Sequence, residues 1–142
     1  MAWSVCQNES DAEHRILEVR LPLPPTLNTY YRHVGPRVLI SREGRRFRET
    51  VAGILAAQGV RPMAGRLALT VLVRPPDRRR RDLDNVQKAL LDALEKGGAY
   101  GDDSQIDLLL TRRRDVVPGG RLTVQILDMP LRRCPLCGAE MN

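Results

Sequence analysis

Residues Asp77 to Asp103 read DRRRRDLDNVQKALLDALEKGGAYGDD. Four arginines, Arg78, Arg79, Arg80 and Arg81, run straight into Asp82-Leu83-Asp84-Asn85. A helical repeat follows, with Leu83, Val86, Leu90 and Leu94 on one stripe, predicting a helix from about Asn85 to Lys96. Gly97-Gly98 ends it by supplying a left-handed cap. Before this stretch, Arg66 to Val73 alternates Leu67, Leu69, Val71 and Val73 with small or mixed residues. It reads as a central, mostly buried strand, stopped by Pro75-Pro76. After it, Ile106 to Thr111 reads as another strand. Strand, helix and strand thus follow in succession.

The same stretch carries the candidate chemistry. Carboxylates bind Mg²⁺ or Mn²⁺ through oxygen, and arginines hold phosphate in a planar fork. Two acidic clusters about one helix apart, beside four arginines, could therefore hold a hard cation next to a phosphate. If the backbone is extended at Asp82 and Asp84, their carboxylates point to one side. Either could instead cap the helix, but one cap explains one aspartate, not both. Asp84, Lys88 and Asp92 recur every four residues, which puts Lys88 one turn from the aspartates. A structural salt-bridge ladder explains that spacing equally well. Asp102 and Asp103 are adjacent and face opposite ways on an extended chain, so only one of them can join. The bland alternative for the whole stretch is a solvated turn and a surface helix.

Towards the N-terminus, residues 1–14 are polar and acidic without period and read as a flexible leader. Arg15 to Leu23 suggests a first strand, ended by Pro22, Pro24 and Pro25. Thr26, Leu27, Asn28, Thr29, Tyr30, Tyr31, Arg32 and His33 form a predicted polar loop. Its groups suit phosphate or sugar, or it is a turn with two half-buried tyrosines. Arg37 to Ile40 looks like a short strand. Ser41 is a fair N-cap for a helix over 42–58, with Phe47, Val51, Ile54 and Leu55 on its stripe and Gly59 closing it. Arg42, Arg45, Arg46 and Arg48 oppose the macrodipole there. They suit an anionic partner or form a solvated face.

Beyond the central stretch, Leu122 to Leu127 is the last strand, expected to form a hairpin with Ile106 to Thr111 through Pro118-Gly119-Gly120. Arg112, Arg113 and Arg114 add a second basic patch. The tail, residues 131–142, contains Cys134-Pro135-Leu136-Cys137-Gly138, the form of one zinc knuckle. A structural zinc site needs four ligands, and Cys6 and His14 are far away in sequence. Two chains could share a four-cysteine site, or the tail is metal-free.

Length and composition bound the rest. A chain of 142 residues is one domain, here residues 15–130, with short appendages. Aromatic residues make up only 4%, so the core is aliphatic. Net charge is +6, and only Lys88 and Lys96 of the 23 basic residues are lysine. The surplus favours a polyanionic partner, with nucleic acid ahead of a membrane surface. No stretch has the apolar length of a membrane span. An odd cysteine count with no secretory signal suggests a reducing, cytoplasmic location.

The chain resembles the RusA-type Holliday junction resolvases, the crossover junction endodeoxyribonucleases of phages and prophages. The resemblance rests on LPLPPTLNTYYRH near the start, DRRRRDLDNVQKALLDAL in the middle, DDSQI after the glycines and GGRLTVQI near the end. It covers roughly Arg15 to Pro130; the leader and cysteine tail lie outside it. It implies an α/β fold, a mixed α+β sheet with two main helices packed on it, in a cytoplasmic homodimer of a bacterial or phage-infected cell, with two Mg²⁺-dependent sites that nick a four-way DNA junction symmetrically. Carried onto this sequence, the metal-binding carboxylates fall on Asp82, Asp84 and Asp103, and an essential lysine on Lys88. DNA-contacting segments fall on Thr26 to Thr29 and Arg78 to Asn85, with Tyr31 and Arg32 beside the first.

The expectation is then metal-assisted phosphodiester hydrolysis. Asp82, Asp84 and Asp103 meet around one divalent ion, and Lys88 stabilises the transition state. Asp103 pointing away from Asp82 and Asp84, across a gap that no ion and its waters could bridge even after modest loop movement, would overturn the nuclease assignment. The rival is a non-catalytic nucleic-acid-binding regulator with a zinc-knuckle tail. That reading leaves the three acids idle.

Overall fold

A computed structural model describes residues 15–140; the leader and the last two residues lie outside the described part. Strands β1 (Ile16–Leu21), β4 (Leu67–Arg74), β5 (Ile106–Arg113) and β6 (Arg121–Asp128) form one sheet in the order β1-β6-β4-β5. A hairpin of β2 (Tyr31–Val34) and β3 (Arg37–Ile40) stands apart from it. The helices are α1 (Leu27–Tyr30), α2 (Arg42–Ala57) and α3 (Asp84–Lys96), with a single 3₁₀ turn at Asp103–Gln105. The expected mixed α/β class is borne out.

The periodic segments fold as their patterns require. Phe47, Val51 and Leu55 of α2 are buried, as are Leu90 and Leu94 of α3. They cover the sheet face that carries Val19, Leu21, Leu122, Val124 and Ile126. Strand β6 alternates buried and half-buried residues, as one covered face demands. Strand β4 is buried along most of its length, on residues of both its faces. Ser41 caps α2: its Oγ accepts from the Gly44 N–H at 3.0 Å.

Two local expectations fail. The segment 26–33 is no plain loop: it forms α1 and then β2. Tyr30 there is fully buried rather than half-buried. Its hydroxyl donates to Asp92 of α3, and Arg48 of α2 donates to both groups, to Tyr30 at 3.0 Å and to Asp92 at 2.6 Å. Thus Arg48 is neither a solvated face nor a free anion contact, and Asp92 does not extend an Asp84–Lys88 ladder. Burial and the hydrogen bond to Asp92 push the Tyr30 phenol well above its ordinary range.

The second failure concerns connectivity. The expected β5–β6 hairpin does not form; β4 lies between them, parallel to β5 and antiparallel to β6. The segment 114–120 instead passes over the end of β4. The Arg114 N–H donates to Val73 O at 2.8 Å and the Val117 N–H to Pro75 O at 2.9 Å. Neighbouring strands in sequence pair by default, but a two-residue hairpin turn is absent here. The βαβ unit β4–α3–β5 uses the far edge of β4 instead.

Helix α2 starts hard against α1. A methyl group on Gly44 would lie 2.6 Å from the Tyr30 carbonyl oxygen and 2.8 Å from Ile40 Cγ2. Backbone cannot yield there cheaply. Gly44→Ala should lower unfolding stability by about 1–3 kcal/mol, read from the urea midpoint. An unchanged midpoint would contradict the close approach.

Candidate active site and nucleic-acid interface

Parallel pairing of β4 and β5 brings their carboxyl ends together, with the N-terminus of α3 beside them. The arginine run leaves the end of β4, and Arg112 to Arg114 leave the end of β5. The two basic patches, separate in sequence, therefore line one open cavity of about 570 Å³. Its walls include Arg78, Arg79, Arg80, Arg81, Arg113 and Arg114. Arg113 donates to the Arg81 carbonyl and clips the two segments together. At this end of the sheet Arg74 and Arg121 are also direct cross-strand partners. Like charges placed so are destabilising, and Arg121 Nε is buried without a partner among the described residues. The sequence alone singles out Arg78 to Arg81 but not Arg74, Arg113, Arg114 or Arg121 as a single surface. The available signal was the rule that open α/β sheets bind ligands at the carboxyl ends of strands.

Asp77 organises the arginine loop. Its carboxylate takes Arg81 in a fork, including NH2 at 3.1 Å, and the Arg79 backbone N–H at 2.9 Å. These bonds, Arg81 first, hold its carboxyl at about 2. Arg78 and Arg80 are exposed and have no side-chain partner among the described residues, so they are open to phosphate.

Asp82 and Asp84 are exposed at the entrance of α3, and Lys88 is exposed one turn further on. None of the three has a side-chain partner among the described residues. Neither aspartate caps the helix: the N-cap residue is Leu83 and no side-chain cap bond is made. The extended backbone assumed for alternation is also absent, since Leu83 has φ −66° and ψ −32°. Their nearness therefore follows from the helix entrance, not from a strand.

Asp102 and Asp103 have different duties. Asp102 caps the 3₁₀ turn and accepts from the Ser104 N–H at 2.8 Å. The Ser104 hydroxyl and N–H hold its carboxyl below the usual range. Asp103 is exposed and leads that turn. Local geometry thus leaves Asp103 as the freer acid, a choice that spacing left open.

The turn sits at the wrong end for an ion shared within the chain. Gln105 Nε2 donates to Met63 O at 3.0 Å and Gly65 O at 2.9 Å, and Arg66 donates to Ser104 O at 2.7 Å. Residues 63–66 precede β4, so Asp103 lies at the amino ends of β4 and β5. Asp82 and Asp84 lie at their carboxyl ends. Strand β5 has 8 residues and α3 has 13, which sets the separation at roughly 20 Å. In keeping with this, no group of three or more His, Cys, Asp or Glu among the described residues could hold a metal ion. The expected convergence of Asp82, Asp84 and Asp103 is not met within one chain.

The polar segment contributes a separate surface. Thr26 Oγ1 donates to Thr29 Oγ1 at 3.1 Å, and Asn28, Thr29 and Arg32 are exposed. Leu27 is half-buried, and Tyr31 packs edge-on against Tyr30 with ring centroids 4.8 Å apart. These residues do not line the arginine cavity. Leu23, just before them, meets Pro76 and Gly120 at the cavity's margin. Gly120 has φ +71° and no room for a side chain there.

The Asp77 fork gives a direct check. Its carboxyl should titrate near 2 by NMR, and in Arg81→Ala it should return toward the ordinary carboxylate range. A folded pKa below the unfolded one adds stability above the ordinary range, and this is lost as pH falls through about 2. An unshifted carboxyl in the unaltered protein would contradict the fork.

Comparison with known proteins places this geometry. The family model described as Endodeoxyribonuclease RusA matches residues 22–127. A crossover junction endodeoxyribonuclease of Enterobacteria phage 82 is 45% identical over 115 residues, 78% of this chain and 93% of that protein. The corresponding protein of Enterobacteria phage HK97 is 42% identical over 110 residues, 77% of this chain and 92% of its own. That of Escherichia coli K12 is 42% identical over 112 residues, 78% and 93% respectively. The matched span holds β4, β5, all but the last residue of β6, α2, α3, the arginine cleft and all four candidate catalytic residues, and the chain belongs to the RusA endodeoxyribonuclease family.

Proposed function

We propose that the protein is a structure-selective endonuclease that resolves four-way DNA junctions by paired symmetric nicks, in recombination and repair. The observation that carries this is that Asp82, Asp84 and Lys88, unpartnered among the described residues, follow at the entrance of α3 directly after the arginines that line the cleft. The relatives named above are crossover junction endodeoxyribonucleases. The rival reading, a non-catalytic binder, gives these three side chains no duty.

Arg78, Arg80, Arg113 and Arg114 hold the DNA backbone by charge and shape rather than by base edges. Thr26, Asn28, Thr29 and Arg32 add backbone contacts on the adjoining surface. Lys88 is a compact positive charge on the same face of α3 as Asp84. It stabilises charge that develops on the phosphoryl oxygens.

Exposed carboxylates with no nitrogen or sulfur donor beside them suit a hard cation. Mg²⁺ is commonly held by one or two carboxylates together with substrate phosphate. Asp82 and Asp84 are the residues that would hold Mg²⁺, or Mn²⁺ in its place. When bound, the ion supplies Lewis-acid activation of the attacking water and charge neutralisation at the phosphate. Asp103 of the same chain does not reach them. A homodimer removes the difficulty, because a two-fold axis can bring Asp103 of a second copy to Asp82 and Asp84 of the first, twice over. It also sets two sites on one junction, as paired nicking needs.

The test uses a labelled synthetic junction and a matched duplex, with and without Mg²⁺. The unaltered protein should nick the junction only with the ion. Asp82→Asn should lose nicking by about a hundredfold or more while still shifting the junction. Lys88→Ala should lower turnover far more than affinity. A junction that is bound but never nicked would favour the regulator, and lost binding with unchanged turnover of the bound fraction would overturn the assigned roles.

A further inference from the structure

The C-terminal tail lies outside the family match and outside the core, yet it has a defined shape. No described residue beyond Ile126 belongs to the buried core cluster, and Leu136 is 63% exposed. A short segment with nothing buried does not hold a fold by packing. Nevertheless Cys134 donates its N–H to Ala139 O at 2.8 Å, and Gly138 donates to Cys134 O at 2.8 Å. Arg133 bridges Glu140 across this small loop. Cys134 and Cys137 thus lie three residues apart on one tight turn, Cys134 half-buried and Cys137 exposed.

The backbone bonds of this turn are donated by Cys134 and Gly138, so Pro135, which has no N–H, removes none of them. Gly138 has φ +75°, which glycine adopts without strain. Both cysteines are free, and both sit on the one loop.

We propose that this loop is half of a structural zinc site, and that Cys134 and Cys137 of a second copy complete it as a four-thiolate centre. Zinc in such sites is tetrahedral and takes four protein ligands. One knuckle offers two, and no third His, Cys, Asp or Glu among the described residues stands close enough to join them. A two-fold axis through the ion satisfies the count with one kind of chain. The two-copy assembly is the one the nuclease reading also calls on. The zinc pins the tails together at a place remote in sequence from the catalytic acids.

The test takes the full chain, purified with reductant and without chelator. Zinc should be present at about one ion per two chains, in a particle of dimer mass by native mass spectrometry. Replacing it with Co²⁺ should give the intense visible bands of a tetrahedral tetrathiolate. Cys134→Ser with Cys137→Ser should lose the metal and the bands yet keep Mg²⁺-dependent junction nicking. No bound zinc, with both thiols freely alkylated after zinc is added, would overturn the site. One zinc per chain would place the remaining ligands in the same chain and overturn the sharing. Zinc absent but nicking intact would sink this site alone and leave the nuclease reading standing.

Discussion

The parallel pairing of β4 with β5, crossed over by α3, is the constraint on which the rest depends. A parallel pair needs a connection long enough to return the chain to its starting end, and a helix is the usual means. Here that return puts the arginine loop and the entrance of α3 at one end of the sheet. It carries the chain to the Asp102–Asp103 turn at the other. The same interaction therefore builds the cationic cleft and separates the acids.

Within that frame, partnerships sort the charged residues more clearly than their types do. Asp77 is held in a fork with Arg81, Asp92 is locked between Arg48 and Tyr30, and Asp102 caps a turn. Asp107 is tied to Arg66. These acids have structural employment. Among the described residues Asp82, Asp84 and Lys88 have none, although each is placed on or beside a rigid helix. An unpaired charge on an exposed helix is ordinary by itself. Three of them at a helix entrance that directly follows four of the six arginines lining a cleft are not well explained by solvation.

Much of the fold was legible in the sequence. The two long helices and the central strand carry strong apolar periods, and each appears within a residue or two of its predicted bounds. The β5–β6 hairpin was misread because strand pairing is not encoded locally; β4 competes for the same edge of β6 and takes it. The short α1 and β2 lacked the length for a period to register. The four arginines of α2 looked alike, but Arg48 has a partner 44 residues away that no local pattern discloses. At the site, residue types were readable and their meeting was not. The motif named Asp82, Asp84, Lys88 and Asp103, while the crossover decides that the last stands apart.

The most direct measurement mixes two inactive chains. Asp82→Asn and Asp103→Asn proteins are unfolded, refolded together, and assayed with Mg²⁺ on a junction, beside each protein alone. If one acid comes from each copy, the mixed dimer contains one site with both defects and one site with none, so nicking on a single strand returns. If all three acids belong to one chain, every site in the mixture is defective and nicking stays absent, which would contradict a site shared between two copies.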